Sequence, residues 1–406
     1  MSSVATAAVQ SSSAQDELAR DLWRRLDALN VDAMPLSSAQ RRNALERFLS
    51  VRSGRERPGR FWRVDFERLA PAPGAIAADA PITYEGSAPG VIVTSLRRAA
   101  REHPALLARA FGSTGAAATK FGALTEAFAN GGAFVYVPAD RSCDEPIVLR
   151  CDAADGAAVF PWNVVFAERG ARAVLVEHVT GAPGAFICGV TEIVTEESAD
   201  VTYAVVQRLR GGSSIASRTA RPGRDASVAW AVAELGADLA ASDLTVSIDS
   251  PGASAQIASL FFPASDQHVD VVSSVEHNAG DATSETLVKS AARDRGQARF
   301  LGNIRIAPHA QGSDARLRDD ALLLSPRAHV DSVPALEIGA NDVKAYHGAT
   351  VGAIDAEQIF YMESRGLERN AAERMIALGF FEPAIERFPT SALRDEIRNA
   401  VAAKLA

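Results

Sequence analysis

Residues able to do chemistry are sparse in this 406-residue chain. Its seven histidines, at positions 103, 178, 268, 277, 309, 329 and 347, include no i, i+4 pair, so the chain alone signals no metal site. Three cysteines, Cys143, Cys151 and Cys188, are odd in number and lack CxxC spacing, which suggests neither a disulfide framework nor a zinc site. Four-thiolate ligation of an iron–sulfur cluster needs thiols from another chain. Cys151 and Cys188 lie in apolar, strand-like contexts and read as small core residues. Cys143, next to Asp144 and Glu145, reads as an exposed loop thiol whose acidic neighbours disfavour the thiolate. No HExxH or GxSxG occurs. Gly115-Ala-Ala-Ala-Thr119-Lys120 falls short of a phosphate loop, because Thr119 stands where a second glycine must let the backbone wrap the phosphates.

These residues are set in an ordinary globular composition, 47% hydrophobic and 23% charged, which supports a sizeable core. Lys and Arg total 42 against 50 acidic residues, and there are only four lysines. A net charge of -8 with dispersed arginines argues against a nucleic-acid partner. No run approaches the roughly 18 apolar residues of a membrane span. The opening MSSVATAAVQSSSAQ has no basic region before an apolar run, and the first arginine is Arg20, so neither a secretory signal nor a transit peptide is expected. The expectation is a cytoplasmic protein.

Four regions follow from periodicity. Residues 1–13 read as a flexible arm. Residues 14–132 read as a helical region with an irregular linker. Leu18, Leu22, Leu26 and Leu29 recur at helical spacing, and Ser37 with Gln40 forms a capping box for a second helix. The linker, 52–90, is rich in Arg, Pro and Gly and anchored by Phe61, Trp62, Val64 and Phe66. Helices near 95–111 and 119–129 follow, the second closed by Gly131 and Gly132. Residues 133–340 carry a dozen short runs rich in Val, Ile and Phe, with no long helix between them. Such a segment is a sandwich, a barrel or a solenoid. Scarce hairpin turns, short strands and a continuous 200-residue span tilt towards a solenoid, although no repeat of fixed length is visible. In 341–406 the helical period returns, with caps at Asp355, Asn370 and Thr390 or Ser391.

The most informative stretch is PALEIGANDVKAYHGATVGAIDAEQIFYMESRGLERNAAERMIALGFF, residues 334–381. By itself it reads as a last β-turn, a Gly-rich exit and two capped helices, with His347 a core or loop histidine. A His followed by Gly348 at the join of two domains also reaches an interface, and neutral imidazole is a good iron ligand. The stretch resembles the C-terminal signature of the SufB/SufD family, scaffold proteins of the SUF iron–sulfur assembly system. The matching residues are Pro334, Leu336-Glu337-Ile338, Asp342-Val343, His347-Gly348-Ala349-Thr350, Gly352, Asp355, Phe360-Tyr361, Ser364-Arg365-Gly366 and Gly379-Phe380. Upstream, Lys120-Phe121, Leu124, Ala127-Phe128, Gly132 to Pro138, Pro146-Ile147, Phe300 to Ile304 and Ala310-Gln311 also fit, so the likeness covers about 90–381. Within the family the chain is most similar to the SufD branch: no cysteine follows Cys188, whereas a SufB carries a functional one before its last β-turns. It departs from many SufD sequences at Ala345, where they have cysteine.

The resemblance implies a mainly β fold, a right-handed parallel β-helix flanked by N- and C-terminal helical regions. It implies a non-catalytic scaffold that pairs with SufB through its β-helix and docks the SufC ATPase through its C-terminal helices. ATP would then be held by that partner. Iron or an iron–sulfur cluster would pass transiently at the subunit interface, with His347 the candidate ligand. Phe360, Tyr361, Arg365, Gly366 and Phe380 are the candidate SufC-docking residues, and packing onto their own domain is the other reading of the aromatic pair. A SufB-like or homodimeric scaffold and a β-helix polysaccharide enzyme are the alternatives; for the enzyme, the scattered Asp and Glu show no convergent pair.

Overall fold

A computed structural model describes residues 19–29, 34–50, 61 and 76–405. The arm expected at 1–13, and Trp62, Val64 and Phe66 of the linker, lie outside the described residues. What is described is mainly β, a parallel solenoid of about eight turns with helices at either end of the chain. Two faces form its wall, a sheet of nine strands and a sheet of ten, among the described residues.

One line of register shows the stacking. Ile147, Leu175, Tyr203, Trp230, Ile257, Thr286, Leu317 and His347 are successive partners across eight parallel strands of the nine-stranded sheet. All but the last are buried. Because side chains alternate across a strand, one face of each strand fills the interior and the other meets solvent or helices. The interior is mostly Val, Ile, Leu and Ala.

The capping box at the N-terminal helix Ser38–Ser50 is complete: Gln40 N donates to Ser37 Oγ at 3.2 Å, and Ser37 N to Gln40 Oε1 at 2.9 Å. This helix and helical residues 19–28 pack with helix Lys120–Phe128 on the outer face of the ten-stranded sheet, burying Leu22, Leu45, Phe61 and Phe121 against Ile215 and Ala241. Helix Lys120–Phe128 does not close on Gly131 and Gly132. It ends at Phe128, and the Arg41 guanidinium takes the carbonyls of Ala127 and Ala129, each at 2.9 Å. Gly132 serves a different need: at φ +147° its backbone passes so close to Trp162 that a Cβ would fall 1.8 Å from the Trp162 carbonyl oxygen.

Two short strands lie where a linker and a helix start were expected. Ile82–Glu85 pairs antiparallel with Ile147–Ala153, and Ile92–Ser95 pairs antiparallel with Ala133–Val137. They become the edges of both sheets at the first coil, four residues long and antiparallel, and such short edges pair poorly. At the opposite end both edge strands are parallel and ten residues long. Strand His329–Ile338 ends the ten-stranded sheet and strand Lys344–Ala353 ends the nine-stranded one. The second of these runs beyond residue 340, so the β region is longer than 133–340.

After it the chain turns back. Helices Ala356–Ser364, Arg369–Ile385 and Ser391–Leu405 follow. Arg369–Ile385 runs straight through Gly379, with Asn370 inside it rather than capping it. Phe381, Ile385, Phe388, Leu393, Ile397 and Val401 pack on Val206, Ala233 and Leu260 of the nine-stranded sheet's outer face and on Phe262 just past strand Ser254–Phe261. The helices thus lie along the wall and leave the last coil open.

Candidate functional site

His347 is neither a core nor a loop residue. It sits in the terminal strand Lys344–Ala353, opposite Leu317, and is exposed. It shares a face with Ala345, which packs against the interior core, so His347 stands over the interior at the open end. Ala345 itself pairs with Ala315 and offers no thiol. Among the described residues no three His, Cys, Asp or Glu side chains gather to hold a metal. His347 therefore brings one imidazole to this end.

Just beneath lies a carboxyl that nothing in the sequence singles out. Asp319, paired in register with Ala349, is fully buried. Ser332 Oγ of the neighbouring end strand donates to its Oδ2, and Oδ1 has no partner among the described residues. Burial pushes the Asp319 carboxyl up to about 7, partly offset by the Ser332 hydroxyl. Around this end Val333, Ile338, Tyr346 and Val351 are all exposed, Tyr346 by 58%. These are large apolar side chains on two unpaired strand edges, the arrangement that invites another chain.

The second group divides. Asp355 caps helix Ala356–Ser364, its Oδ1 accepting from Glu357 N at 2.9 Å, and Gly366 follows the helix at φ +90°. Phe360 is 72% exposed, Tyr361 is exposed beside it, and the Arg365 guanidinium lies 5.2 Å from the Tyr361 ring. Only Ile359 of this helix is buried. Phe360 and Tyr361 therefore do not pack the helix onto its own domain. Phe380 belongs elsewhere: half-buried on Arg369–Ile385, it covers the Lys289 ammonium at 4.5 Å. Met375, not singled out from the sequence, is exposed on the same helix. Of the acids Glu337 and Asp342, which precede His347 in sequence, Asp342 serves a turn through its backbone: its N–H donates to Gln311 Oε1 and its carbonyl accepts from Gly312.

The cysteines offer no reactive thiol. Cys151 and Cys188 are buried, and burial pushes both thiols up to about 12. Cys143 is buried too, not in an exposed loop: its N–H donates to Arg172 O and its side chain joins the core. Deeper inside the early coils lies a polar cluster with no sequence signal beyond isolated polar residues within strands. Glu177 accepts from Asn163 Nδ2 at 2.9 Å and Tyr203 OH at 3.0 Å, and Arg218 pairs with Glu234 at 2.9 Å.

The description "SUF system FeS cluster assembly, SufBD core domain" matches residues 149–380, more than half the chain, and "SufBD protein N-terminal region" matches 78–149. The chain belongs to the SufBD family. It is 28% identical to the iron–sulfur cluster assembly protein SufD of Bacillus subtilis over 324 residues, 78% of this chain and 74% of that protein. A SufBD family protein of Staphylococcus saprophyticus is 26% identical over 307 residues, 74% of this chain and 66% of its own length. The SufD of Escherichia coli is 40% identical over a shorter stretch of 162 residues, 40% of this chain and 37% of that protein. Among SufBD proteins this chain is thus most like those called SufD. The core match begins within the strand that carries Ile147 and ends within helix Arg369–Ile385, so it takes in the open end and His347.

Proposed function

We propose that this chain is a SufD-like scaffold subunit in iron–sulfur cluster assembly, pairing with SufB at its open end and receiving the SufC ATPase on its C-terminal helices. The observation that carries the reading is the asymmetry of the solenoid: one end stops at four-residue antiparallel edges, while the other presents two ten-residue parallel edges with exposed Val333, Ile338, Tyr346, Val351 and His347. A nascent cluster is the cargo of the joint, not a resident group. His347 contributes one ligand there, and SufB supplies the rest. Asp319 lies behind it, ready to accept a proton or a hydrogen bond. The subunit performs no catalysis of its own; ATP is bound and hydrolysed on SufC. Phe360, Tyr361 and Arg365, with Met375 on the next helix, form the surface offered to that partner, and Phe380 is withdrawn from it.

The test is co-expression with the host's SufB- and SufC-like proteins, pull-down on this chain, and measurement of cluster formation in cells. A three-protein complex is expected. His347→Ala should leave recovery of the complex unchanged and lower cluster formation at least tenfold. A variant complex that forms clusters at the normal rate removes His347 from the site, and recovery of the chain alone removes the scaffold reading.

A further inference from the structure

A line of polar contacts crosses the outer face of the nine-stranded sheet. Lys289, Asp320 and Thr350 are consecutive register partners on the strands Thr283–Ala292, Asp314–Leu323 and Lys344–Ala353. Lys289 Nζ donates to Asp320 Oδ2 at 2.7 Å, Arg318 Nε donates to the same oxygen at 2.8 Å, and Thr350 Oγ1 donates to Asp320 Oδ1 at 2.6 Å. Both carboxylate oxygens are therefore engaged. At the other end the Lys289 ammonium lies under the Phe380 ring of helix Arg369–Ile385. The line runs from a C-terminal helix to a residue three positions from His347.

Its composition is unusual for this chain. Lys289 is one of only four lysines and is 8% exposed. A buried ammonium is costly unless paired, and a buried pair adds little stability over apolar packing; its best-attested use is to fix one arrangement against others. Burial alone would raise the Asp320 carboxyl, but the bonds from Lys289, Thr350 and Arg318 outweigh it and hold it below the usual carboxylate range. The strand at the far end needs fixing: Lys344–Ala353 pairs on one side only and is exposed along nearly its whole length.

We propose that Phe380, Lys289, Asp320 and Thr350 form a coupling rung, through which the seating of helix Arg369–Ile385 sets the order of the terminal strand that carries His347. These are positioning residues; none touches the cargo. The inference deepens the proposed function, since helices that receive an ATPase would be tied by this rung to the strand at the assembly site.

Hydrogen exchange on the full chain alone tests the coupling without any partner. Lys289→Met keeps the aliphatic stem beneath Phe380 and removes only the ammonium. Exchange within 344–353 should rise severalfold. Phe380→Ala should raise it in the wild-type background but add nothing in the Lys289→Met background. Unchanged exchange in Lys289→Met, or effects that simply add, overturns the proposal. If Phe380→Ala loosens its own helix, Thr350→Val is read in the opposite direction, and unchanged exchange across 369–385 is equally fatal. In the co-expressed assembly, Lys289→Met should preserve recovery of the complex while lowering cluster formation severalfold; normal formation in an intact complex would show that assembly does not use the coupling. Failure of the wild-type complex to form refutes the scaffold reading instead and leaves the exchange result standing.

Discussion

His347 closes a column whose seven earlier members are all buried, and its exposure is a matter of position alone. One more coil would bury it as Leu317 is buried. Asp319, one coil further in, is where that position has an energetic consequence. A carboxyl whose folded pKa is raised binds its proton more tightly in the fold than in the unfolded chain. Stability is then greatest at low pH and falls as pH rises from about 4 towards about 7. Asp319→Asn keeps the shape and the Ser332 partner without the charge. It should flatten that slope, leaving the variant more stable than wild type above about pH 7 by as much as about 4 kcal/mol. Urea unfolding at a series of pH values reads this directly, and parallel curves for the two proteins would refute it. At this scale the sequence was only partly readable. His347 could be found through its Gly348-Ala349-Thr350 context, but Asp319 looks like any acid in the run Arg318-Asp319-Asp320, because burial depends on which face of a strand it occupies.

Helices and strands were readable to the extent that their burial was one-sided. The helix of Leu22 and Leu26, the Ser37–Gln40 box and the Asp355 cap all follow from local rules, and the structure bears them out. Two strands escape that reading, each for its own reason. Ser213–Arg221 carries Arg218 and Ser217 where apolar residues would mark a strand, because its inward face takes part in the buried polar cluster and its outward face bonds to Thr119. Lys344–Ala353 has no fully buried face at all, so alternation never develops. The C-terminal helices show the opposite case, firm burial on a wall of small apolar residues. Ile397 is fully buried at the centre of that contact. Ile397→Ala should cost roughly 2–5 kcal/mol and should free residues 391–405 to exchange while the solenoid stays protected. Uniform loss of protection would mean that the helix and the solenoid unfold as one unit.

For the whole molecule, the solenoid was legible as a class, and its repeat was not. Along the column from Ile147 to His347 each coil takes between 27 and 31 residues. A period that drifts this much leaves no fixed-length signature, because turns between strands absorb insertions without disturbing register inside them. The bare last coil gives a prediction for the isolated chain. It should self-associate through that end, and Val351→Lys, which sets a charge on the edge, should return it to a single chain in sedimentation. A wild-type chain that stays single at all concentrations would show that the edge does not template pairing by itself.

The short antiparallel edges of the first coil, Ile82–Glu85 and Ile92–Ser95, have a consequence for size. Stacked β-structures with two sticky ends grow without limit. A subunit whose short antiparallel end resists pairing acts as a terminus: when its long-edged end meets another of the same kind, both growing points are consumed and the object is finished. Two such chains make a closed rod of fixed length, a particle that counts to two and stops.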